Sequence, residues 1–330
     1  MSTAPGDGAD RPEHRLRTVR TVLGDVAPEL LGVCDSHDHL FLTSPQLPGQ
    51  ELDDPAAAEA ELRAFAAGGG GTVVQWTPYG MGRGAAELAR LSRATGVHLV
   101  AATGLHQAAH YAEADLVALY RGDTLAELFV EELTSGLREP GAPEGVRAGM
   151  IKVAGGFHGL DDHARRVMTA AAEAHHATGA PIGVHHELGT GALDVLDLLC
   201  DRLGVPAQRV LLGHLNRFPD LRLHRQAAES GAYLVLDGPS RANHATDHHL
   251  FDTVAALAEA GHGEQLLLGG DTTTRAARGA PGMPFLVGGL AARITREFGA
   301  APAGQLFTAN PARAFSVDRA RGSAGRPAGT

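Results

Sequence analysis

Short apolar runs recur along the chain, and each is followed by a longer stretch with helical spacing. The runs are Val33 to Asp35, Thr72 to Trp76, His98 to Ala102, Ala148 to Val153, Pro181 to His185, Arg209 to Gly213, Ala232 to Leu236 and Gln265 to Leu268. Between them, Ala85 to Thr95, Leu125 to Leu137, Asp162 to Thr178 and Asp252 to Ala260 are rich in Ala, Leu, Glu and Arg at helical period. A further helix from about Pro55 is stopped by the glycine run Gly68 to Gly71. Strands alternating with helices predict βαβ units and a parallel sheet, and eight of them in this length predict a (β/α)8 TIM barrel. An open doubly wound sheet is the alternative. It has less support, because no Gly-x-Gly-x-x-Gly follows the first strand.

A barrel places its chemistry at the C-terminal ends of its strands. Five segments carry metal-ligand side chains there: Ser36-His37-Asp38-His39, Ile151-Lys152-Val153, Val184-His185-His186, Gly213-His214 and Gly270-Asp271. They end strands one, four, five, six and eight, an order that unrelated histidines would not be expected to follow. His37 and His39 are two apart, so on a strand both rings share a face and can meet one metal. His185 and His186 are adjacent and point to opposite sides, so one of them can readily be a ligand. His214 alone would be read as structural, but in this set it is a natural second ligand. Asp271 could be a helix N-cap before Thr272, or a metal ligand that also accepts a proton.

Lys152 is flanked by Met150, Ile151, Val153 and Ala154. Burial there disfavours the ammonium and lowers the pKa. Alone, such a lysine would be read as the partner of a buried carboxylate. Beside the other ligands it reads as a neutral amine that takes up CO2, forming a carbamate whose two oxygens bridge two divalent cations. Two cations about 3.5–4 Å apart can hold a hydroxide between them. The nitrogen and oxygen ligands suit zinc, with manganese, cobalt or iron as alternatives. Asp271 would be the proton shuttle.

The 330 residues suit one large barrel, and no Pro/Ser-rich or charged linker divides the middle. The expected organisation is a loosely attached tail over 1–17, a single hydrolase barrel over 18–317 and a disordered tail over 318–330. A net charge of −10 argues against nucleic acid as partner. The two cysteines, Cys34 and Cys200, are too few for a disulfide framework. Met1 to Glu13 lacks a signal-peptide pattern, and no apolar run approaches the ~20 residues of a membrane span. The expectation is a cytoplasmic protein acting on a small molecule, with no membrane contact.

The ordered motifs resemble those of the phosphotriesterase family of the amidohydrolase superfamily, from about Val19 to Ser316. The matching segments include Ser36-His37-Asp38-His39-Leu40, Ala101 to Gly104, Gly149 to Val153, Pro181 to His185, Leu212-Gly213-His214, Gly231-Ala232-Tyr233, Gly269-Gly270-Asp271 and Asn310-Pro311-Ala312-Arg313. The resemblance implies that His37, His39 and Asp271 bind an inner metal, that His185 and His214 bind an outer one, and that carbamylated Lys152 bridges them. It also chooses His185 over His186, because the family's ligand lies four residues after the proline. Asp38 stands where the family usually has Glu. The resemblance further suggests a homodimer.

Members of the family hydrolyse lactones, phosphotriesters, carboxylic esters or N-acyl amides. Many lactonases place an aromatic residue after the third strand in a Thr-Gly-x-aromatic pattern. This chain has Thr103-Gly104-Leu105-His106, which makes His106 the candidate substrate contact there. Aromatic residues are only 5% of the chain, which fits a polar substrate. Arg241, Arg275 and Arg278 fall on the loops after strands seven and eight. Guanidinium groups there suit capture of phosphate or carboxylate. The layout resembles the branch that hydrolyses phosphorylated sugar lactones: Arg241 matches it, Arg275 is offset by about one residue and Arg278 replaces a tyrosine. The leading expectation is therefore a two-metal hydrolase of an anionic lactone or ester. The alternatives are an amidase of an N-acylated small acid, a phosphotriesterase, and a barrel that binds without catalysis.

Overall fold

A computed structural model describes residues 16–121, 124–237, 245–279 and 281–319. Eight parallel strands form the expected barrel: β1 (Val33–Asp38), β2 (Gly70–Gln75), β3 (His98–Gly104), β4 (Met150–Ala154), β5 (Ile182–His185), β6 (Val210–Gly213), β7 (Tyr233–Asp237) and β8 (Leu266–Gly269). They pair in chain order from β1 to β8. The seam between β8 and β1 is closed by Asp271 N–H donating to the His37 carbonyl at 2.8 Å. The Asp35 carboxylate also accepts from Gly270 N–H at 3.0 Å across that seam. Two loops that carry candidate ligands are thereby joined.

Helices fill the connections. Pro55–Ala67 starts at Asp54, whose carboxylate accepts from Ala56 N–H and Ala57 N–H, and it ends at Gly68. Asp162–Thr178 is capped by Asp161 and ends at Gly179, which takes the left-handed conformation. The helices bury Leu62, Phe65, Leu88, Phe129, Val167 and Met168 against the outer face of the strands.

Inside the barrel a second core gathers Cys34, Val74, Trp76, Val100, Met150, Leu211, Val235 and Leu267. The Trp76 indole takes the space left by glycines on the opposite strands. A Cβ on Gly183 would lie 2.8 Å from its ring and one on Gly213 3.3 Å. Its Nε1–H donates to the Ser36 carbonyl at 2.8 Å, so no polar atom of the indole is stranded.

The end of the barrel away from the ligands is covered by a three-stranded antiparallel sheet. Its central strand, Leu16–Thr21, pairs with Gly24–Val26 and with Ser316–Arg319. The pairing reaches two residues into each expected tail, since Leu16 and Arg17 face Arg319 and Asp318. The rest of both tails lies outside the described residues. Among the described residues no helix is long and apolar enough to cross a membrane.

Candidate active site

The strand ends bring His37, His39, Lys152, His185, His214 and Asp271 to one cavity of about 290 Å³. His37 and His39 follow from the inward face of β1. His39 Nδ1 contacts Thr77 Oγ1 at 2.7 Å, and His37 Nδ1 lies 2.8 Å from Asp237 Oδ1. Both rings therefore present Nε2 to the cavity. Those two atoms stand 3.8 Å and 3.7 Å from one oxygen, Asp271 Oδ1. That is too long for hydrogen bonds. It approaches the spacing of about 3.3 Å expected between ligand atoms held at ~2.0–2.1 Å by one tetrahedral ion. Donor atoms of His37, His39 and Asp271 all lie within 4.8 Å of one another and are buried, so the donor set fits a cation.

Asp271 and His214 both have left-handed backbone, at φ 53° and 64°. Non-glycine residues rarely adopt it, and its local strain is commonly found where a side chain must be aimed at a ligand. The turn splits the roles of the Asp271 oxygens. Oδ1 faces His37 and His39, whereas Oδ2 lies 3.6 Å from His214 Nδ1 and 3.7 Å from Arg217 Nη2.

His185 ends β5, and its Nε2 contacts Glu187 Oε2 at 3.1 Å, leaving Nδ1 as the other donor. Its ring sits 4.5 Å from that of His214. His186 turns away: its Nδ1–H donates to the Thr190 carbonyl at 2.8 Å and holds the loop after β5. Lys152 is buried on β4 in register with Gly104 of β3.

Burial sets most of the proton affinities. It pulls His37 down, His39 and His106 well below the ordinary range, His185 to about 3 and His186 to about 4. These rings are neutral near pH 7 and offer lone pairs. Burial likewise draws the Lys152 amine to about 7, with Asp271 opposing it weakly. His214 goes the other way: burial lowers it, but the Asp237 and Asp271 carboxylates outweigh that. Asp237 is held well below the usual range because His214 and His37 overcome its burial.

His106 lines the cavity with a buried Nδ1 that has no hydrogen-bond partner among the described residues, and its ring stacks on His110 at 4.3 Å. Of the three expected arginines, the two within the described residues do not line this cavity. Arg241 lies outside the described residues. Arg275 is turned outward, donating to Asp53 at 3.1 Å and to the Glu51 carbonyl at 3.3 Å. Arg278 bonds buried Glu61 at 2.9 Å and donates to the His39 and Leu40 carbonyls, so it braces the chain after β1. Neither of these two expected substrate contacts lines the cavity that holds the six ligand-type side chains. Acids on the segment after β1 claim both guanidinium groups.

Among the described residues, the guanidinium that lines the cavity is that of Arg217, three residues beyond His214. Its Nη1 pairs with Asp247 at 3.2 Å, and its buried Nη2 makes no hydrogen bond among the described residues. The sequence reading also passed over Asp237 and Glu187, which contact His37, His214 and His185. Asp237 ends β7 as the other candidates end their strands, so the strand-end rule could have found it.

Neutral histidines and a carboxylate on parallel strand ends, with a lysine between them, define a metal-dependent barrel hydrolase. The comparisons narrow the class. The sequence model of the phosphotriesterase family matches residues 17–285, and the chain belongs to that family. It is 32% identical to a phospho-furanose lactonase of Mycoplasmopsis agalactiae over 248 residues, 71% of this chain and 70% of that one. A lactonase structure from Listeria monocytogenes superposes with a TM-score of 0.81 at 27% identity, covering 90% of this chain and 98% of its own. The Escherichia coli phosphotriesterase homology protein, with phosphate in its active site, superposes with a TM-score of 0.80 at 26% identity, covering 87% and 99%.

Proposed function

We propose that this chain is a two-cation hydrolase of a lactone, or a related carboxylic ester, that carries an anionic group such as phosphate. The observation that carries the reading is Arg217, which lines the same cavity as the six ligand-type side chains and whose Nη2 makes no hydrogen bond among the described residues. The lactonase activity named for the relatives and the phosphate held by the E. coli homologue support it.

In this reading His37, His39 and Asp271 hold one cation, His185 and His214 hold the other, and carboxylated Lys152 joins them. The nitrogen and oxygen donors suit zinc, and also manganese, cobalt or iron. When bound, such a pair supplies a hydroxide nucleophile at neutral pH and polarises a carbonyl. The residues of the chain do the rest. Asp271 Oδ2, on the side away from His37 and His39, is placed to accept the proton released on attack. Arg217 binds the anion of the substrate. His106 Nδ1 can hydrogen-bond the substrate. Leu42, Leu47 and Met81 form an apolar wall that keeps water from one side of the cavity.

The test is hydrolysis of a sugar γ-lactone, with and without its phosphate, by metal-loaded protein supplied with bicarbonate. The phosphorylated lactone should be preferred. Arg217→Met should raise its KM by about 10–100-fold, the worth of a hydrogen bond to a charged group, and change the neutral lactone little. Equal losses on both would remove the anion from the reading. Turnover of N-acyl acids but of neither lactone would move the chain to the amidases.

A further inference from the structure

Asp237 is fully buried at the end of β7 and touches one histidine from each proposed cation position. Its Oδ1 lies 2.8 Å from His37 Nδ1, and its Oδ2 is in contact with His214 Nδ1. Both are ion-pair contacts. The two rings have centroids 4.9 Å apart, with the one carboxylate serving both.

Carboxylate oxygens that close to a ring nitrogen favour the tautomer that carries its proton there, because oxygen and nitrogen lone pairs would repel each other. The proton on Nδ1 leaves Nε2 as the bare donor of each ring. The backbone that carries this carboxylate is itself fixed. Asn216, two residues beyond His214, donates its Nδ2–H to the Asp237 carbonyl at 2.8 Å and accepts from Asp237 N–H at 3.0 Å. His214, Asn216, Asp237 and His37 thus form one continuous brace across the ends of β6, β7 and β1.

We infer that Asp237 is a positioning residue shared by the two cation positions, setting the tautomer and aim of His37 and His214 together, so that the positions load as a unit. The inference rests on the two-cation reading above. Its rival is that Asp237 binds a cation directly with His37 and His214, since donor atoms of the three lie within 4.8 Å of one another. That arrangement would require both Nδ1 atoms to be deprotonated.

The experiment compares wild-type chain with Asp237→Asn, using zinc as the probe. Calorimetry and elemental analysis give affinity and stoichiometry, and nitrogen NMR of the imidazoles in zinc-free protein gives the tautomers. An amide has a single acceptor oxygen and can serve one ring only. The expected result is Nδ1–H on His37 and His214 in the wild type and cooperative uptake of two zinc ions. In the variant both ions should bind about 10–100-fold more weakly, the usual cost of losing an outer partner of a ligand, and in separate steps. Should Asp237→Asn fail to fold, Asn216→Ala loosens the backbone that carries the same carboxylate without touching a ring. It should weaken both ions by about 2–10-fold.

Weakening at one ion alone would overturn the coupling. So would deprotonated Nδ1 atoms, or loss of a whole equivalent of zinc with the remaining ions unaffected. A wild-type chain that takes up no zinc would sink the hydrolase reading itself, a result distinguishable from failure of the coupling in a chain that takes up two.

Discussion

A lysine amine drawn down to about 7 by burial is largely neutral just above that pH, and only the neutral amine can take up CO2. Metal-free protein given zinc and bicarbonate should therefore regain activity faster at about pH 8 than at about pH 6, on either side of that value. Recovery at equal rates, or recovery indifferent to bicarbonate, would remove the carbamate. Lys152 was legible in the sequence because a charge inside an apolar run is costly and needs a reason. His37, His39, His185, His214 and Asp271 were legible because each follows such a run. Arg217 was not. The left-handed turn at His214 brings it to the cavity, and no residue type announced that turn. The ion-pair partners of Arg275 and Arg278 were not legible either. Their partners Asp53 and Glu61 lie more than 200 positions earlier in the chain, where spacing carries no information.

Elements are held in place here by buried charge as well as by apolar packing. Arg83, in the loop after β2, is fully buried against Glu132 of the helix Thr124–Thr134. Its Nη1 also donates to the Ala102 carbonyl of β3 at 3.0 Å, and Thr103 Oγ1 donates to Glu132 at 2.6 Å. Arg83→Met would leave Glu132 buried without its cation and should cost about 3–5 kcal/mol in urea unfolding. Adding Glu132→Leu should recover most of that loss. A single-variant loss below about 1 kcal/mol would show that the pair matters little. The barrel strands themselves were legible because both faces of each are covered, giving compact apolar runs. The sheet at the far end was not. Leu16–Thr21 places only part of its length in the interior, Gly24–Val26 is three residues long, and Ser316–Arg319 completes the sheet from the other end of the chain.

At the scale of the whole molecule the barrel has two distinct ends. One is closed by the terminal sheet, where Val19 and Phe315 join the interior core, and the other carries the charged and ligand-type groups. Trp76 stands at the boundary between them. It belongs to the interior core, yet its indole stacks on His37 with ring centroids 4.0 Å apart and planes at 21°. It is also the only tryptophan in the chain. Its fluorescence should therefore report two events separately. Cobalt bound at His37 should quench the emission with little change in its wavelength, whereas unfolding should move the emission to the red as the indole meets water. Quenching that saturates at the stoichiometry found by elemental analysis would let cation loading be followed optically without a substrate, and emission indifferent to cobalt would place the ion away from His37.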